Sequence, residues 1–213
     1  PNPEEPEAIA RLVTELGLRY VVITTVTRDD IPDGGAAHFV KTIQAVRATN
    51  SVSVEVLISD LQGDESALRT ILTATPDVLN HNMETVRRLY SEVRPQADYD
   101  RSLELLARVR SFCPEMITKS GIMVGLGETP EEVTTLMRDL RDINVNILTI
   151  GQYIAPTRQH YPVSEYITPE QFDKYRDTGL KLGFSMVMSG PLVRSSYNAE
   201  EAEKLFKRRQ AKI

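Results

Sequence analysis

The feature that most limits what this chain can fold into is its alternation of short β-branched apolar runs with segments of helical period. Residues 20–26 are apolar and β-branched without alternation, the pattern of a strand buried on both faces. Residues 51–58 carry Val52, Val54, Val56 and Ile58; 78–80 form a short strand, 117–126 include another, and 146–152 and 184–188 complete the set. Between them the spacing predicts helices over 6–16, closed by Gly17, and over 37–47, with Phe39, Ile43 and Val46 on one side. Further helices are expected over 65–72, from Glu84 onwards, and over 102–110, 131–143 and 169–182. Strands separated by helices pair in parallel, because a parallel connection needs a crossover of that length. About six strands, with no nucleotide-binding glycine fingerprint after the first, favour an incomplete (β/α) TIM-like barrel over a doubly wound sheet. One α/β domain spanning 1–213 accounts for the length.

Composition removes several function classes. A formal net charge of −5 does not indicate a non-specific nucleic-acid surface. No apolar run approaches a membrane span, and no secretory leader is recognisable. The single Cys113 excludes an internal disulfide and fits a reducing compartment. Beside Pro114, in a helix-to-strand connection, it reads as an ordinary partly buried thiol.

In a β/α barrel the chemistry gathers at the C-terminal ends of the strands, and five stretches there stand out. The first, Thr27-Arg28-Asp29-Asp30-Ile31-Pro32-Asp33-Gly34-Gly35-Ala36, carries more charge and backbone freedom than a connector needs, although a solvated loop with an Asp cap is the plain alternative. In Asn80-His81-Asn82-Met83-Glu84-Thr85, capping a helix explains Asn82 and Glu84 but leaves Asn80 and His81 without a reason. In 119–130, Gly121 and Gly125 lie within a strand, where they let another group approach the backbone. Thr129 and Pro130 then read as N-cap and first residue of the next helix. The fourth stretch runs from Gln152 to Val163 and is stiffened by Pro156 and Pro162; Arg158 and His160 are its candidate anion or carbonyl contacts. The fifth, Arg194-Ser195-Ser196-Tyr197, follows the last strand, where a serine capping a helix near Ala199 is the alternative.

Taken in order and at this spacing, these stretches resemble the lipoyl synthase family of radical S-adenosylmethionine (SAM) enzymes over essentially the whole chain. The resemblance implies insertion of two sulfur atoms at carbons 6 and 8 of an octanoyl chain held on a lysine of a lipoyl carrier domain. In such enzymes one 4Fe–4S cluster cleaves SAM reductively to a 5′-deoxyadenosyl radical, and a second, auxiliary 4Fe–4S cluster is consumed as sulfur donor. By the same resemblance Ser196, in preference to Ser195, is the oxygen ligand of the auxiliary cluster. Asn80, Asn82, Glu84, Gly121, Gly125 and Gln152 would contact SAM. Arg28, Asp29, Asp30, Arg158 and His160 would line the mouth through which SAM or the octanoyl-lysine enters. No residue is assigned as catalytic. The implied partners are octanoylated acyltransferase subunits of 2-oxoacid dehydrogenases, the H protein of glycine cleavage and an electron donor, with no nucleic acid and no membrane. The implied compartment is the cytoplasm, or an organellar matrix or plastid in a eukaryote.

The chain also departs from that family. The Cys-x3-Cys-x2-Cys motif that holds the SAM cluster and the three cysteines that hold the auxiliary cluster are not in it, and Asn198 stands where the family usually has His. Ile154-Ala155 likewise replaces Leu-Gln. The chain opens at Pro1 without Met, so the expectation is a barrel lacking its first strand and cluster-binding region. The alternative is a cysteine-less relative that binds a carrier protein without catalysis. An exposed edge at 20–26 leads to the further expectation of marginal stability or association. On this reading the 213-residue polypeptide is inactive alone. Incubation with an octanoylated carrier, SAM, iron, sulfide and reductant should leave the octanoyl mass unchanged, and a lipoyl product would refute the expectation.

Overall fold

A computed structural model describes residues 1–196. The chain runs α1 (Glu5–Glu15), β1 (Tyr20–Thr24), α2 (Ala36–Thr49), β2 (Ser53–Leu57), α3 (Glu65–Thr73) and β3 (Val78–Asn80). It continues through α4 (Tyr90–Val93), α5 (Tyr99–Phe112), β4 (Ile117–Val124), α6 (Pro130–Asp142), β5 (Ile147–Gln152), α7 (Pro169–Leu182) and β6 (Met186–Gly190). Single 3-10 turns occupy Leu61–Gly63 and Arg87–Leu89. The six strands pair in sequence order, all in parallel, and β1 and β6 do not meet. This is the open, incomplete barrel that the strand–helix alternation predicts.

Helices α3, α5, α6 and α7 carry their own start signals. Thr129 and Glu132 form a reciprocal capping box ahead of Pro130, and Thr168 caps α7 ahead of Pro169. Asp64 accepts from Ser66 and Ala67 at the start of α3, and Asp98 accepts from Arg101 at the start of α5. Gly183 closes α7 in the left-handed conformation that glycine adopts without steric cost.

The expectation for a helix beginning at Glu84 is not met. Glu84 has φ +64°, donates its N–H to the carbonyl of Gly121 and forms a one-residue bridge to Ile122. A left-handed residue tied to a neighbouring strand is outside the first turn of any helix, so helical backbone starts only at Arg87. The last strand is also displaced, running Met186–Gly190 instead of 184–188.

Strand alternation sorts the core into two unequal parts. Val54, Val56, Leu79, Ile122, Val124, Leu148, Ile150 and Val187 pack outward against the helices in one large cluster. On the concave face a small cluster of Val78, Ile117 and Ile147 packs with Tyr20, Met186 and Met188. Beside it lies a charged layer that the periodicity does not announce. Lys119, with no solvent exposure, places Nζ 2.9 and 3.1 Å from the two carboxylate oxygens of Glu55, which is equally buried. Tyr20 donates its hydroxyl to Glu55 Oε2 at 2.7 Å, and Asn80 donates Nδ2 to Oε1 at 3.0 Å. Four adjacent strands are thereby tied to one carboxylate.

Removing one partner of such a pair leaves a bare charge in a dry interior. Lys119→Met is therefore expected to cost about 3–5 kcal/mol in urea unfolding. Adding Glu55→Leu should recover most of that loss, short of all of it because Tyr20 and Asn80 lose their acceptor. A single variant within about 1 kcal/mol of the parent would count against the network's role.

Candidate functional site

The mouth of the barrel, where the C-terminal ends of the strands converge, holds two cavities that share the residues Asn82 and Glu84. The larger, about 770 Å³, is walled by Thr24 at the end of β1, Thr25 and Asp29 after it, Ser59 and Asp60 after β2, His81 after β3, and Arg94 and Arg101. That volume lies in the range of small-molecule sites. The smaller, about 250 Å³, is lined by Gly121 and Met123 of β4, Thr149 and Gly151 of β5, and Val193, Arg194 and Ser195.

Gly121 leaves no room for a side chain. A Cβ there would stand 2.7 Å from Thr149 Oγ1 and 2.8 Å from Asn82 Oδ1. Asn82 donates Nδ2 to Glu84 Oε1 at 3.0 Å, while its Oδ1 is buried with no hydrogen-bond partner among the described residues. Burial raises the Glu84 carboxyl above the usual carboxylate range, although the Asn82 hydrogen bond and Arg94 work against that. Gly151 is as constrained, because a Cβ would run into the carbonyl oxygen of Val193.

His81 is buried, with Nδ1 3.0 Å from the carbonyl of Ile58. A carbonyl only accepts, so Nδ1 carries the proton and Nε2 presents a bare lone pair, for which no partner exists among the described residues. Burial, aided by the charge of Arg94 and opposed by the hydrogen bond to Ile58, lowers the His81 pKa to about 4. The imidazole is neutral at ordinary pH.

The predicted site residues fall into two groups. Asn82, Glu84, Gly121 and Asp29 meet at the two cavities. Arg28 and Asp30 form a two-pronged ion pair at 2.7 Å on the rim of a separate surface pocket that Asp29 also lines. The rest, Gln152 apart, are placed elsewhere. Asn80 lines neither cavity; its Nδ2 is committed to Glu55 within the charged layer, while its buried Oδ1 has no partner among the described residues. Gly125 also lines neither; its carbonyl accepts from Ser164, its N–H donates to Glu128, and a Cβ would clash with Gln152 and Glu165. It permits the close approach of the 163–167 loop. Gln152 reaches the wall of the smaller cavity, but its amide holds that same loop, donating to Glu165 O and accepting from Ile167 N–H. Arg158 and His160 are exposed on the loop following β5 and line neither cavity, His160 being turned to Thr157 at 2.9 Å. Ser195 lines the smaller cavity, whereas Ser196 is exposed and does not; Tyr197 and Asn198 lie outside the described residues.

Sequence reasoning passed over Arg94, whose only signal was its position directly before Pro95, and Thr149, which looked like any strand residue. Cys113 is free and half-buried at the end of α5.

The described residues contain no cluster of three or more His, Cys, Asp or Glu placed to hold a metal ion. With one cysteine in 213 residues, this donor set does not fit a thiolate-held iron–sulfur cluster. No helix among the described residues is long and apolar enough to cross a membrane.

Comparison with known proteins agrees with the open barrel. Residues 1–140 match the family model of the radical SAM superfamily. The chain is 59% identical over 199 residues to the lipoyl synthase of Caldanaerobacter subterraneus subsp. tengcongensis, covering 93% of this chain and 70% of that protein. It is 53% identical over 202 residues to the lipoyl synthase of Alkaliphilus metalliredigens, covering 94% and 70%. Among solved structures, methylornithine synthase (PylB) superposes with a TM-score of 0.61 at 12% identity, covering 98% of this chain and 72% of that one. Streptococcus suis SuiB bound to S-adenosylmethionine superposes with a TM-score of 0.66 at 11% identity, covering 93% and 46%. At such identities the likeness to the two structures is one of fold.

The His81 environment makes the fold acid-sensitive. Its pKa is depressed from an ordinary 6.5 to about 4, so the fold favours the neutral ring. That stability is complete above pH 6.5 and is lost as pH falls toward 4. The interval corresponds to roughly 3 kcal/mol. In urea unfolding at pH 7.5 and pH 4, His81→Asn, which keeps a donor for Ile58, should lose less stability on acidification than the parent by about that amount. Equal losses would place the acid sensitivity in other groups.

Proposed function

Because the chain belongs to the lipoyl synthase family of the radical SAM superfamily, we propose that its two-lobed cavity is the SAM site of a sulfur-inserting enzyme. In this reading the smaller lobe takes the adenosyl half, and the methionyl half points into the larger lobe. The observation that carries it is the buried, unpartnered Asn82 Oδ1 standing over Gly121 at the junction of the lobes. A buried amide oxygen without a donor is costly unless a ligand supplies one. Gly121 and Gly151 keep side-chain bulk out of the smaller lobe, whose wall Asn82, Thr149 and Val193 close over them. Glu84 offers a carboxylate whose second oxygen takes no donor among the described residues, suited to a hydroxyl or ammonium group.

When bound, SAM supplies the adenosyl group from which this family derives its hydrogen-abstracting radical. The chain's own residues bind, orient and screen. Asn82 and Glu84, locked to each other, fix the ligand between the lobes. The glycine-lined lobe screens it from bulk water. The larger lobe has room beyond the methionyl half, and its rim at Asp29 is the proposed entrance for the octanoyl-lysine of a lipoyl carrier domain, with an external electron donor. Ser196 remains the proposed oxygen ligand of the auxiliary cluster. This sequence does not supply the thiolates of that cluster or of the SAM cluster, and its own residues carry no step through either.

The reading is tested by titrating the ¹⁵N-labelled chain with 5′-methylthioadenosine. The amide resonances of Asn82, Glu84, Gly121, Thr149 and Gly151 should shift together, and Gly121→Val should abolish the response while leaving the spectrum dispersed. Shifts confined to the Arg28–Asp30 rim, or none at millimolar nucleoside, would overturn it.

A further inference from the structure

We propose that Gln62 reads the secondary amide joining an acyl chain to its lysine, where the larger lobe opens into the outer recess beside Arg28 and Asp30. The inference rests on the sulfur-insertion reading above and adds a specificity-determining residue to it.

The outer recess, about 500 Å³, lies between the loops that follow β1 and β2. Asp29 and Gln62 line both this recess and the larger lobe, so these two side chains stand where one space passes into the other.

The backbone that carries Gln62 is strained. Leu61 and Gln62 have φ +50° and +51°, and Gly63 has φ +78°. Of these left-handed residues only the glycine adopts the conformation without steric cost. The start of α3 does not require the turn, since its cap is Asp64, the residue after it. Groups remote in sequence hold it instead. Asp60 accepts the Gln62 N–H at 3.1 Å and is itself gripped by Arg101 at 2.7 Å. Arg108 donates to the Gly63 carbonyl at 2.8 Å. Leu61 is buried over Gly34, where a Cβ would stand 3.0 Å from Leu61 Cδ2. Strain over-determined in this way clusters at ligand clamps and active sites. Here it fixes the main chain of Gln62 and leaves its side-chain amide exposed, with no hydrogen bond to any described residue.

The chemistry at the junction selects the ligand. A glutamine amide offers both a carbonyl acceptor and N–H donors, which match the N–H and C=O of another amide head to tail. Asp29 beside it has no hydrogen bond or ion pair among the described residues, and its charge repels a carboxylate. A free fatty acid presents only a carboxylate at this point. An acylated lysine presents a neutral amide, with its acyl chain in the larger lobe and its main chain in the outer recess.

The test uses calorimetric titration of the full chain with three probes. These are Nα-acetyl-Nε-octanoyl-lysine methylamide, its analogue with an ester oxygen in place of the Nε–H, and octanoate. The parent should bind the amide probe about tenfold more tightly than the ester analogue, and octanoate more weakly still. Gln62→Gly removes the side chain while suiting the left-handed backbone, so a changed affinity does not report a misfolded turn. It should abolish the preference for amide over ester. A preference that survives Gln62→Gly, or equal binding of octanoate and the amide probe by the parent, would overturn the proposal. If the chain responds to 5′-methylthioadenosine but binds no acyl probe, the proposal fails and the SAM reading stands. If it binds no nucleoside yet keeps a Gln62-dependent preference for the amide, the proposal is upheld and the SAM reading alone fails.

Discussion

The Lys119–Glu55 pair is the interaction on which the rest of this barrel depends. Both groups are fully removed from water, and the carboxylate also accepts from Tyr20 and Asn80. Charges in a dry interior are costly unless paired, so the three donors that converge on Glu55 stabilise one arrangement of four strands and penalise any slip, although Asn80 Oδ1 stays buried without a partner among the described residues. One residue of displacement would turn Lys119 into the helix layer and Ile122 into the cavity. The open barrel, whose concave apolar cluster is small, thus takes its register largely from polar groups.

That register sets the site. On β4 the inward positions run Lys119, Gly121, Met123, so the residue two places beyond the buried lysine is the glycine beneath Asn82. From the end of β3, Asn80, Asn82 and Glu84 keep the same spacing, from the charged layer to the junction of the cavities. The left-handed Glu84 lets the chain continue along β4 instead of turning into a helix. The strand ladder, the polar layer and the ligand cradle are consecutive storeys of one construction.

The alternation of apolar runs and helical periods made six parallel strands legible, and the cap residues Thr129, Pro130 and Gly17 were legible from local chemistry alone. Motif reading brought Asn82, Glu84 and Gly121 into one site, because each lies near the C-terminal end of a strand and chain order alone gathers such ends. It grouped Asn80, Gly125 and Gln152 with them, which the fold places in the charged layer, beneath the 163–167 loop and at the wall of the smaller cavity. A residue at a strand end can face the cavity, the neighbouring strand or an overlying loop, and composition does not distinguish these directions. Arg158 and His160 sat in a loop whose two prolines were visible but whose outward course was not.

The sequence by itself determined the fold class, the helix boundaries set by caps, and the family, since these depend on local period, local chemistry and order along the chain. Only the tertiary structure decided that Glu55 and Lys119 are partners across 64 positions, that Glu84 adopts a left-handed backbone, and that Gln62 stands between two cavities. Each of these depends on the curvature of the sheet and the approach of segments remote in sequence. Burial, pairing and ligand access are properties of enclosed space, which is defined only once the strands have curved around it.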